Sequence, residues 1–282
     1  MDQYFCIRLC KLACANMNSG MRGASRTLEV LRALNLNNGA SIVELNRATG
    51  ISRPALYRIV RALCDDGYLR FDSDTDGYLL TPLVKQLSDG FGDDAWISDI
   101  ASPVLDQLQQ EVIWPTDLFT FHFDRMIMRR TTRRASPWTI DNAMIGLGIP
   151  VLITAVGRAY LAHQRREIQE GVIERLAKSD HADSAIARNS ATAIRMLNLI
   201  AKDGFATRDS TFMPKTGSIA VPVLIKGYAA CSIAITYISS ALRASEAKRR
   251  YLGPLTNAAK MIAEQLSASQ QALSGRAPRR RP

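Results

Sequence analysis

The chain has 282 residues, enough for two domains of ordinary size, and 47% of them are hydrophobic and 22% charged, as in soluble globular proteins. No charge-free run approaches the roughly 20 apolar residues of a membrane span, so the sequence excludes a membrane protein. The formal net charge of +10 favours an acidic polymer as a partner.

Residues 1–20 are interpreted as a disordered extension. Arg8 and Lys11 interrupt their apolar stretch and no cleavage pattern follows, so we predict no signal peptide. Two methionines offer later starts: Met17 and Met21. Three cysteines recur every fourth residue: Cys6, Cys10 and Cys14. No histidine lies nearby to complete a usual zinc set, so we expect no metal site. Cysteines without a disulfide-like pattern suit a protein of the reducing cytoplasm.

Two helices are predicted next, in a segment where seven arginines between Arg22 and Arg61 outnumber two glutamates. A helical period of leucines over 26–36 predicts the first helix, which the Asn-Asn-Gly of 37–39 ends. Ser41 stands three residues before Glu44, the spacing of a capping box, so a second helix begins there and stops at Thr49-Gly50.

A third helix begins after Ser52, which we expect to cap it. Its predicted core side is Leu56, Ile59, Val60 and Leu63, and its predicted solvent side is Arg53, Tyr57, Arg58 and Arg61. Gly67 ends it, and two short apolar runs, 68–71 and 77–80, flank a turn rich in Asp and Gly. This pattern predicts a β-hairpin, the wing of a winged helix-turn-helix.

The combination predicts double-stranded DNA as the partner. The N-terminal turns of such a helix meet base edges, so Arg53, Tyr57 and Arg58 are the predicted readers. The other predicted DNA-binding residues lie nearer the phosphates: Arg26, Ser41, Ser52, Arg61 and Arg70. Five aspartates would repel phosphates: Asp65, Asp66, Asp72, Asp74 and Asp76. We therefore expect the wing to contribute mainly through Arg70. The alternative is a helical domain used only for protein contacts.

The rest of the chain predicts an α+β domain. A short helix starts at Pro82, and a linker helix covers 92–112 with a kink expected at Pro103. Two strands follow over 117–131, with their turn at Asp124-Arg125. Further helices are predicted at 152–163, 165–178, 189–203 and 245–273, and further strands at 218–224 and 228–237. The predicted boundaries are a DNA-binding domain at 21–91, an effector domain at 113–273 and a basic disordered tail at 274–282.

The stretch from Ser25 to Leu87 resembles the IclR family of bacterial regulators, whose helices and wing occur in this order. The segments 86–91 with 96–98, and 111–117, resemble family members that activate 3-(3-hydroxyphenyl)propionate catabolism. The segment from Gly146 to Ala159 resembles a family block that turns a loop into a helix beside a ligand pocket. Free amides at such a helix start suit a carboxylate.

The resemblance implies a transcriptional regulator of catabolic genes with an aromatic-acid effector. It also implies a GAF-like effector domain with a central antiparallel sheet, a homodimer or tetramer, and a near-palindromic operator; RNA polymerase is a further candidate partner. By the same matching the effector-binding positions are Trp138, Ala155, Val156, Arg208, Asp209, Ser218, Ala234 and Thr236. Alternatives are a loop role for Arg208 and a core role for Trp138. Three methionines suggest a soft apolar wall, or ordinary core: Met126, Met128 and Met144.

The rival prediction is a hydrolase in the C-terminal domain. Its candidate nucleophiles are Cys231 and Ser218, and its candidate bases are His122, His163 and His181. The sequence contains no nucleophile elbow, phosphate loop or H-E-x-x-H motif, and Cys231 lies in an apolar stretch. We therefore expect no catalysis and no cofactor. A third hypothesis is a small-molecule sensor that acts through protein contacts alone, which would not need four exposed cationic and aromatic side chains on one helix.

Overall fold

The computed structural model describes residues 22–89, 95–138 and 145–274, and the chain forms two compact units, 1–92 and 93–282. The predicted extension at 1–20 and nearly all of the basic tail lie outside the described residues. Among the helices of the described part, none is long and apolar enough to cross a membrane.

The first unit contains helices α1 (Arg22–Leu36), α2 (Ile42–Thr49) and α3 (Arg53–Asp65). The Ser41–Glu44 capping box is present, and Gly50 ends α2 at φ 70°. Helix α1 begins before the predicted residue 26, because its first turn is exposed and leaves no apolar period in the sequence. The three helices share one core around Leu34, Leu45 and Leu56.

The wing consists of β1 (Leu69–Asp72) and β2 (Gly77–Leu80). Its attachment to the loop between α1 and α2 has no counterpart in the sequence pattern. The Gly39 amide donates to the Tyr78 carbonyl at 3.0 Å, and the Tyr78 amide donates to the Ala40 carbonyl at 3.1 Å. A Cβ at position 77 would lie 2.0 Å from the Gly39 carbonyl oxygen, so only glycine permits this contact. The hairpin is thereby fixed to the helices.

A 3₁₀ helix (Pro82–Lys85) and α4 (Gln86–Asp89) follow the wing. The second unit contains a π-helical turn (Ile97–Ala101) that leads into α5 (Ser102–Val112). The expected irregularity at Pro103 takes this form. Proline donates no amide hydrogen bond, and the amide of Ser102 reaches back five residues to the Ile97 carbonyl.

Six strands of the described chain form an antiparallel sheet of order β5-β4-β3-β8-β7-β6. Their bounds are β3 Thr116–His122, β4 Arg125–Thr131, β5 Gly148–Ile149, β6 Ala206–Thr207, β7 Thr216–Ile225 and β8 Tyr228–Ile238. The α+β class and the central antiparallel sheet are confirmed. The two-residue strands β5 and β6 were not predicted, because so short a segment shows no alternation.

Both faces of the sheet are buried. The back face, which includes Leu118, Ile219, Ile233 and Ile235, packs against α5 and the final helix α10 (Ala244–Ser274). The front face carries Asp117, Phe119, Ser218, Ala220, Ala234 and Thr236, since directly paired residues lie on the same side of a sheet. It packs mainly against α6 (Ala155–Ala162).

Three more helices complete the front layer: α7 (Arg166–Lys178), α8 (Ser184–Ala187) and α9 (Ser190–Asp203). The helix predicted from residue 152 begins only at Ala155. The three residues before its cap point their amides at the Asp183 carboxylate: Val151 at 2.7 Å, Leu152 at 2.8 Å and Ile153 at 3.0 Å. Asp183 is fully buried; burial raises the pKa of this carboxyl, and the amide bonds oppose that rise.

Replacing Asp183 with alanine should destabilise the second unit by about 3–5 kcal/mol, because three buried amides would lose their acceptor. Urea unfolding followed by circular dichroism measures the change. The matched control is Asp180→Ala, an exposed carboxylate three residues away, for which we expect a change within about 0.5 kcal/mol. An equally small effect of Asp183→Ala would show that the loop does not depend on this carboxylate.

Candidate functional site

Helix α3 presents one face to the core and another to solvent, as predicted. Leu56, Val60 and Leu63 are buried. The predicted solvent side is exposed: Arg53, Tyr57, Arg58 and Arg61. Tyr57 exposes 57% of its surface. A helix with three arginines and a tyrosine on its free face can donate hydrogen bonds to base edges and phosphates.

The start of α3 differs from the prediction. Ser52 occupies the N-cap position, but its side chain makes no capping hydrogen bond. Its exposed hydroxyl therefore lies at a positive helix terminus, where an anion is favoured. The Ser41 hydroxyl, by contrast, contacts the Glu44 carboxylate at 2.9 Å and caps α2. The hydrogen bond from the Ser41 backbone amide lowers the pKa of Glu44 most, and the bond from the Ser41 hydroxyl lowers it further.

The remaining predicted DNA contacts are also on the surface. Arg26 is exposed on α1, and Arg70 is exposed on β1. Of the five aspartates near the wing, four are exposed and Asp72 is half-buried, accepting a hydrogen bond from Thr75 at 2.8 Å. The role of these residues toward DNA stays a prediction.

An aromatic pair beside α3 was missed in the sequence. The rings of Phe71 and Tyr78 on the wing lie 5.3 Å apart, and Phe71 is half exposed. Burial raises the pKa of Tyr78, and the neighbouring Cys64 and Tyr57 of α3 raise it further. Aromatic residues at 57, 71 and 78 were visible in the sequence, but their proximity depends on how the hairpin meets the helix.

In the second unit, polar side chains collect at one end of the front face. Ser218 and Thr236 are directly paired and nearly buried, and Ala220 and Ala234 form the next pair along the strands. Asp117 pairs with Ala234 from the other side. The structure thus brings the predicted strand residues Ser218, Ala234 and Thr236 onto one surface.

The N-terminus of α6 faces this layer. Thr154 caps it by accepting the Gly157 amide at 3.3 Å. The amides of Ala155 and Val156 have no acceptor among the described residues, although both residues are almost fully buried. Two buried donors at a helix N-terminus make a site for an anionic oxygen. Ala155, Val156 and Ala234 belong to one packed cluster.

Arg158 fixes this helix end to the adjacent loop. Its guanidinium donates to the Leu152 carbonyl at 2.6 Å, the Thr207 carbonyl at 3.0 Å and the Asp209 carboxylate at 3.1 Å. Burial lowers the pKa of Arg158, and Asp209 opposes this effect. Hydrogen bonds from Thr211, together with Arg158, lower the pKa of Asp209, so this carboxylate is ionised at neutral pH.

Arg208 lies next to these residues but is bonded within its own loop. Its Nη2 donates to the carbonyl of Met213 at 3.1 Å and to the carbonyl and hydroxyl of Thr216. These bonds close the loop between β6 and β7. This geometry supports the loop role more than the predicted salt bridge to an effector.

Trp138 lies in the segment after β4, outside the sheet. Its ring stacks on Trp114 with centroids 5.2 Å apart, and it remains 43% exposed. Met126 and Met128 are buried in the front cluster with Phe119, whereas Met144 lies outside the described residues. Sequence reasoning missed a buried ion pair: Arg133 Nη2 lies 2.7 Å from Asp117 Oδ2.

The rival catalytic residues do not form a unit in the described structure. Cys231 is fully buried on the back face, whereas Ser218 lies on the front. Burial raises the pKa of Cys231 to about 12, so the thiol is protonated at neutral pH. The ring of His163 bonds the Ala159 carbonyl at 3.0 Å, and that of His181 contacts Arg125 at 3.3 Å.

Two family profiles match the chain. The IclR helix-turn-helix domain matches residues 23–73, and the C-terminal domain of the bacterial transcriptional regulator IclR matches residues 93–267. The chain is 23% identical over 265 residues to the HTH-type transcriptional regulator BhcR of Paracoccus denitrificans. This alignment covers 90% of this chain and 88% of BhcR.

Solved structures share the fold. The Thermotoga maritima IclR aligns with a TM-score of 0.61 and 17% identity, covering 87% of this chain and 99% of that one. An IclR homolog from Microbacterium hydrocarbonoxydans, in complex with 4-hydroxybenzoate, aligns with a TM-score of 0.60 and 19% identity, with the same coverage.

Cys231 should resist alkylation in the folded protein, because its thiolate is scarce below its raised pKa and its sulfur is buried. Native protein is treated with iodoacetamide at pH 8, and the labelled peptides are quantified by mass spectrometry. Cys64, which is only partly buried, is the internal control and should label faster. Labelling of Cys231 at the same rate as Cys64 would contradict this prediction and support Cys231 as a candidate nucleophile.

Proposed function

This chain belongs to the IclR family of bacterial transcriptional regulators, and from that premise we propose a separate binding function for each of its two units. The first binds operator DNA through α3 and the wing, and the second binds a small aromatic carboxylic acid at the polar end of the front face. The observation that carries the proposal is the pair of buried, unbonded amides at Ala155 and Val156. The regulated genes are catabolic, and the protein acts in the cytoplasm.

The DNA contacts are assigned by position on α3. Arg53, Tyr57 and Arg58 occupy the first turns and read base edges, since these turns enter the major groove in a helix-turn-helix. Arg61, Ser52, Arg26 and Arg70 lie nearer the phosphates. The Ser41 hydroxyl is engaged in its capping box, so Ser41 contributes mainly by placing α2. A homodimer or tetramer binding a near-palindromic operator follows from the two-fold symmetry of such assemblies, and RNA polymerase is a further partner.

Arg53→Ala should weaken binding to the specific operator by about 1–3 kcal/mol, roughly 5- to 150-fold, and leave nonspecific binding much less affected. Arg70→Ala should instead weaken specific and nonspecific duplexes alike and reduce the salt dependence, because a phosphate contact carries no sequence information. Fluorescence anisotropy on both duplexes at several salt concentrations measures this.

The control for that experiment is Arg188→Ala, an exposed arginine of the second unit, which should bind DNA like the wild type. Unchanged operator binding by Arg53→Ala, or an equal loss on both duplexes, would contradict the reader assignment. If the wild-type protein shows no salt-dependent DNA binding, the hypothesis of a sensor that acts only through protein contacts is favoured over that of a DNA-binding regulator.

The effector assignment rests on two adjoining environments. A carboxylate accepts the amides of Ala155 and Val156, with Thr236 and Ser218 as neighbouring hydroxyls. An aromatic ring packs against the apolar part of the front face, where Met128 and other large side chains are buried. The Microbacterium homolog binds 4-hydroxybenzoate, which has both groups. Phenylpropionates are the other candidate class.

Aromatic acids should raise the melting temperature of the protein. At 100 times its dissociation constant a ligand adds about 2.7 kcal/mol, which corresponds to roughly 5–10 °C for a domain of this size. The screen compares 4-hydroxybenzoate and 3-phenylpropionate with benzamide, a neutral analogue. A shift with benzamide equal to that with the acids would exclude the carboxylate site.

Ala155→Pro tests the site itself, because it removes one amide donor at the first helical position, where proline is tolerated. Thr154 already has the extended conformation that precedes proline, with ψ 151°. We expect the affinity for the acid to fall about 10- to 150-fold, which corresponds to the free energy that one hydrogen bond to a charged group contributes. Ala155→Ser keeps the amide and is the matched control. Equal affinities of the two variants would contradict the assignment.

A further inference from the structure

We propose that residues 131–138, here named the coupling segment, transmit effector binding on the front face to helix α5, and that Asp117 and Arg133 are the positioning residues that hold it. The inference rests on the proposed effector site but assigns neither residue to it. The observation behind it is that this segment is bonded on one side to front-face residues and on the other side to α5.

The front-face side is a buried network centred on Asp117, whose side chain is 1% exposed. Its carboxylate accepts Arg133 Nη2 at 2.7 Å and the Thr131 hydroxyl at 2.7 Å, and the Thr236 hydroxyl lies 3.4 Å away. Thr236 is therefore next to the ion pair, and it lies on the same sheet face as Ala234, which packs in one cluster with Ala155 and Val156 of the proposed effector site. An effector that reorients the Thr236 hydroxyl changes the environment of Asp117 directly.

The ion pair responds as a unit. Separating two buried opposite charges costs several kcal/mol, because water does not replace the lost partner. Arg133 therefore follows Asp117 when the front face adjusts, rather than moving independently. Since Thr131 and Arg133 belong to the coupling segment, the adjustment is imposed on its backbone.

The α5 side begins at Thr132. Its hydroxyl accepts the Thr116 amide at 2.9 Å, and its own amide donates to the Thr116 carbonyl at 3.0 Å. The Thr116 hydroxyl in turn donates to the Leu105 carbonyl of α5 at 3.2 Å. Both threonines are buried, so these bonds are shielded from water.

A second set of contacts reaches the C-terminal end of α5. The Ser136 hydroxyl donates to the carbonyl of Ile113, the left-handed residue that ends the helix, at 2.9 Å. Trp138 stacks on Trp114, the next residue. The coupling segment is thus linked to the middle of α5 through Thr116 and directly to the residue that ends the helix.

Helix α5 is the place where a change in the second unit is passed along the chain. With the π-helical turn before it, α5 follows closely on the division between the two units after residue 92. Its buried side, including Leu105 and Leu108, lies on the back face. A shift of the coupling segment therefore acts on the helix that follows the boundary between the two units in the chain.

The test measures coupling, which is the ratio of operator affinities with and without effector. Allosteric ratios are commonly 5- to 150-fold. Three proteins are compared with the wild type by anisotropy: Arg133→Lys, the charge-neutral double variant Asp117→Asn with Arg133→Gln, and Ser136→Ala. We expect all three to bind effector and DNA separately within about 3-fold of the wild type, with a coupling ratio below a third of its wild-type value.

The matched control is Arg175→Gln, which breaks the exposed ion pair with Asp124 at the other end of the β3–β4 hairpin and should leave the ratio unchanged. A second readout is the near-ultraviolet circular dichroism of the stacked Trp114–Trp138 pair. It should change on effector addition in the wild type and change less in the double variant.

The two failures are distinguishable. If no aromatic acid binds the wild type, the proposed effector site is wrong. If the acid binds and shifts operator affinity equally in the wild type and in folded Arg133→Lys and Ser136→Ala, the coupling segment is not the route. Loss of effector affinity itself in the double variant would also overturn the inference, because Asp117 and Arg133 would then be contact residues.

Discussion

The buried Asp183 carboxylate decides where helix α6 begins, and the proposed ligand site depends on that position. Three consecutive amides converge on its two oxygens, which forces the chain into a loop until Thr154 caps the helix. Ala155 and Val156 are then the first two residues of the helix, where backbone amides have no acceptor within the helix. The buried Asp183 carboxylate thus sets the position of the helix start at which we propose that the effector carboxylate binds.

Electrostatics at the polar end of the front face are balanced within the protein. Arg158 is neutralised by Asp209, and Arg133 by Asp117, while Arg208 bonds the carbonyls of its own loop. In the proposed site, a carboxylate is therefore bound by helix amides and hydroxyls rather than by one of these arginines. Binding by neutral donors would depend on their geometry, and one of them, the Thr236 hydroxyl, lies 3.4 Å from the Asp117 carboxylate.

The DNA-binding unit depends on a different constraint, the close contact of Gly77 with Gly39. This contact holds the wing against the loop between α1 and α2, so the aromatic pair on the hairpin lies beside Tyr57 of α3. The basic face of α3 and the hairpin therefore form one surface. Its net effect on phosphates is the balance between the arginines of α3 and the aspartates around the wing.

Local signals in the sequence were enough to predict several helices and their ends. The period of Leu56, Val60 and Leu63 fixed the orientation of α3, and the Ser41–Glu44 spacing fixed the start of α2, because helix faces and caps depend on neighbours within a few residues. The resemblance to the family supplied the predicted effector positions, of which the sheet register brings Ser218, Ala234 and Thr236 onto one face.

Contacts between residues far apart in the chain became visible only in the folded protein. Asp183 and Val151, Asp117 and Arg133, and Trp114 and Trp138 are each separated by 16 to 32 residues. No periodicity encodes such pairs, because their proximity arises from strand register and loop closure. For the same reason the sequence predicted a capping bond at Ser52 that the fold does not form, and it could not show that Arg208 bonds within its own loop.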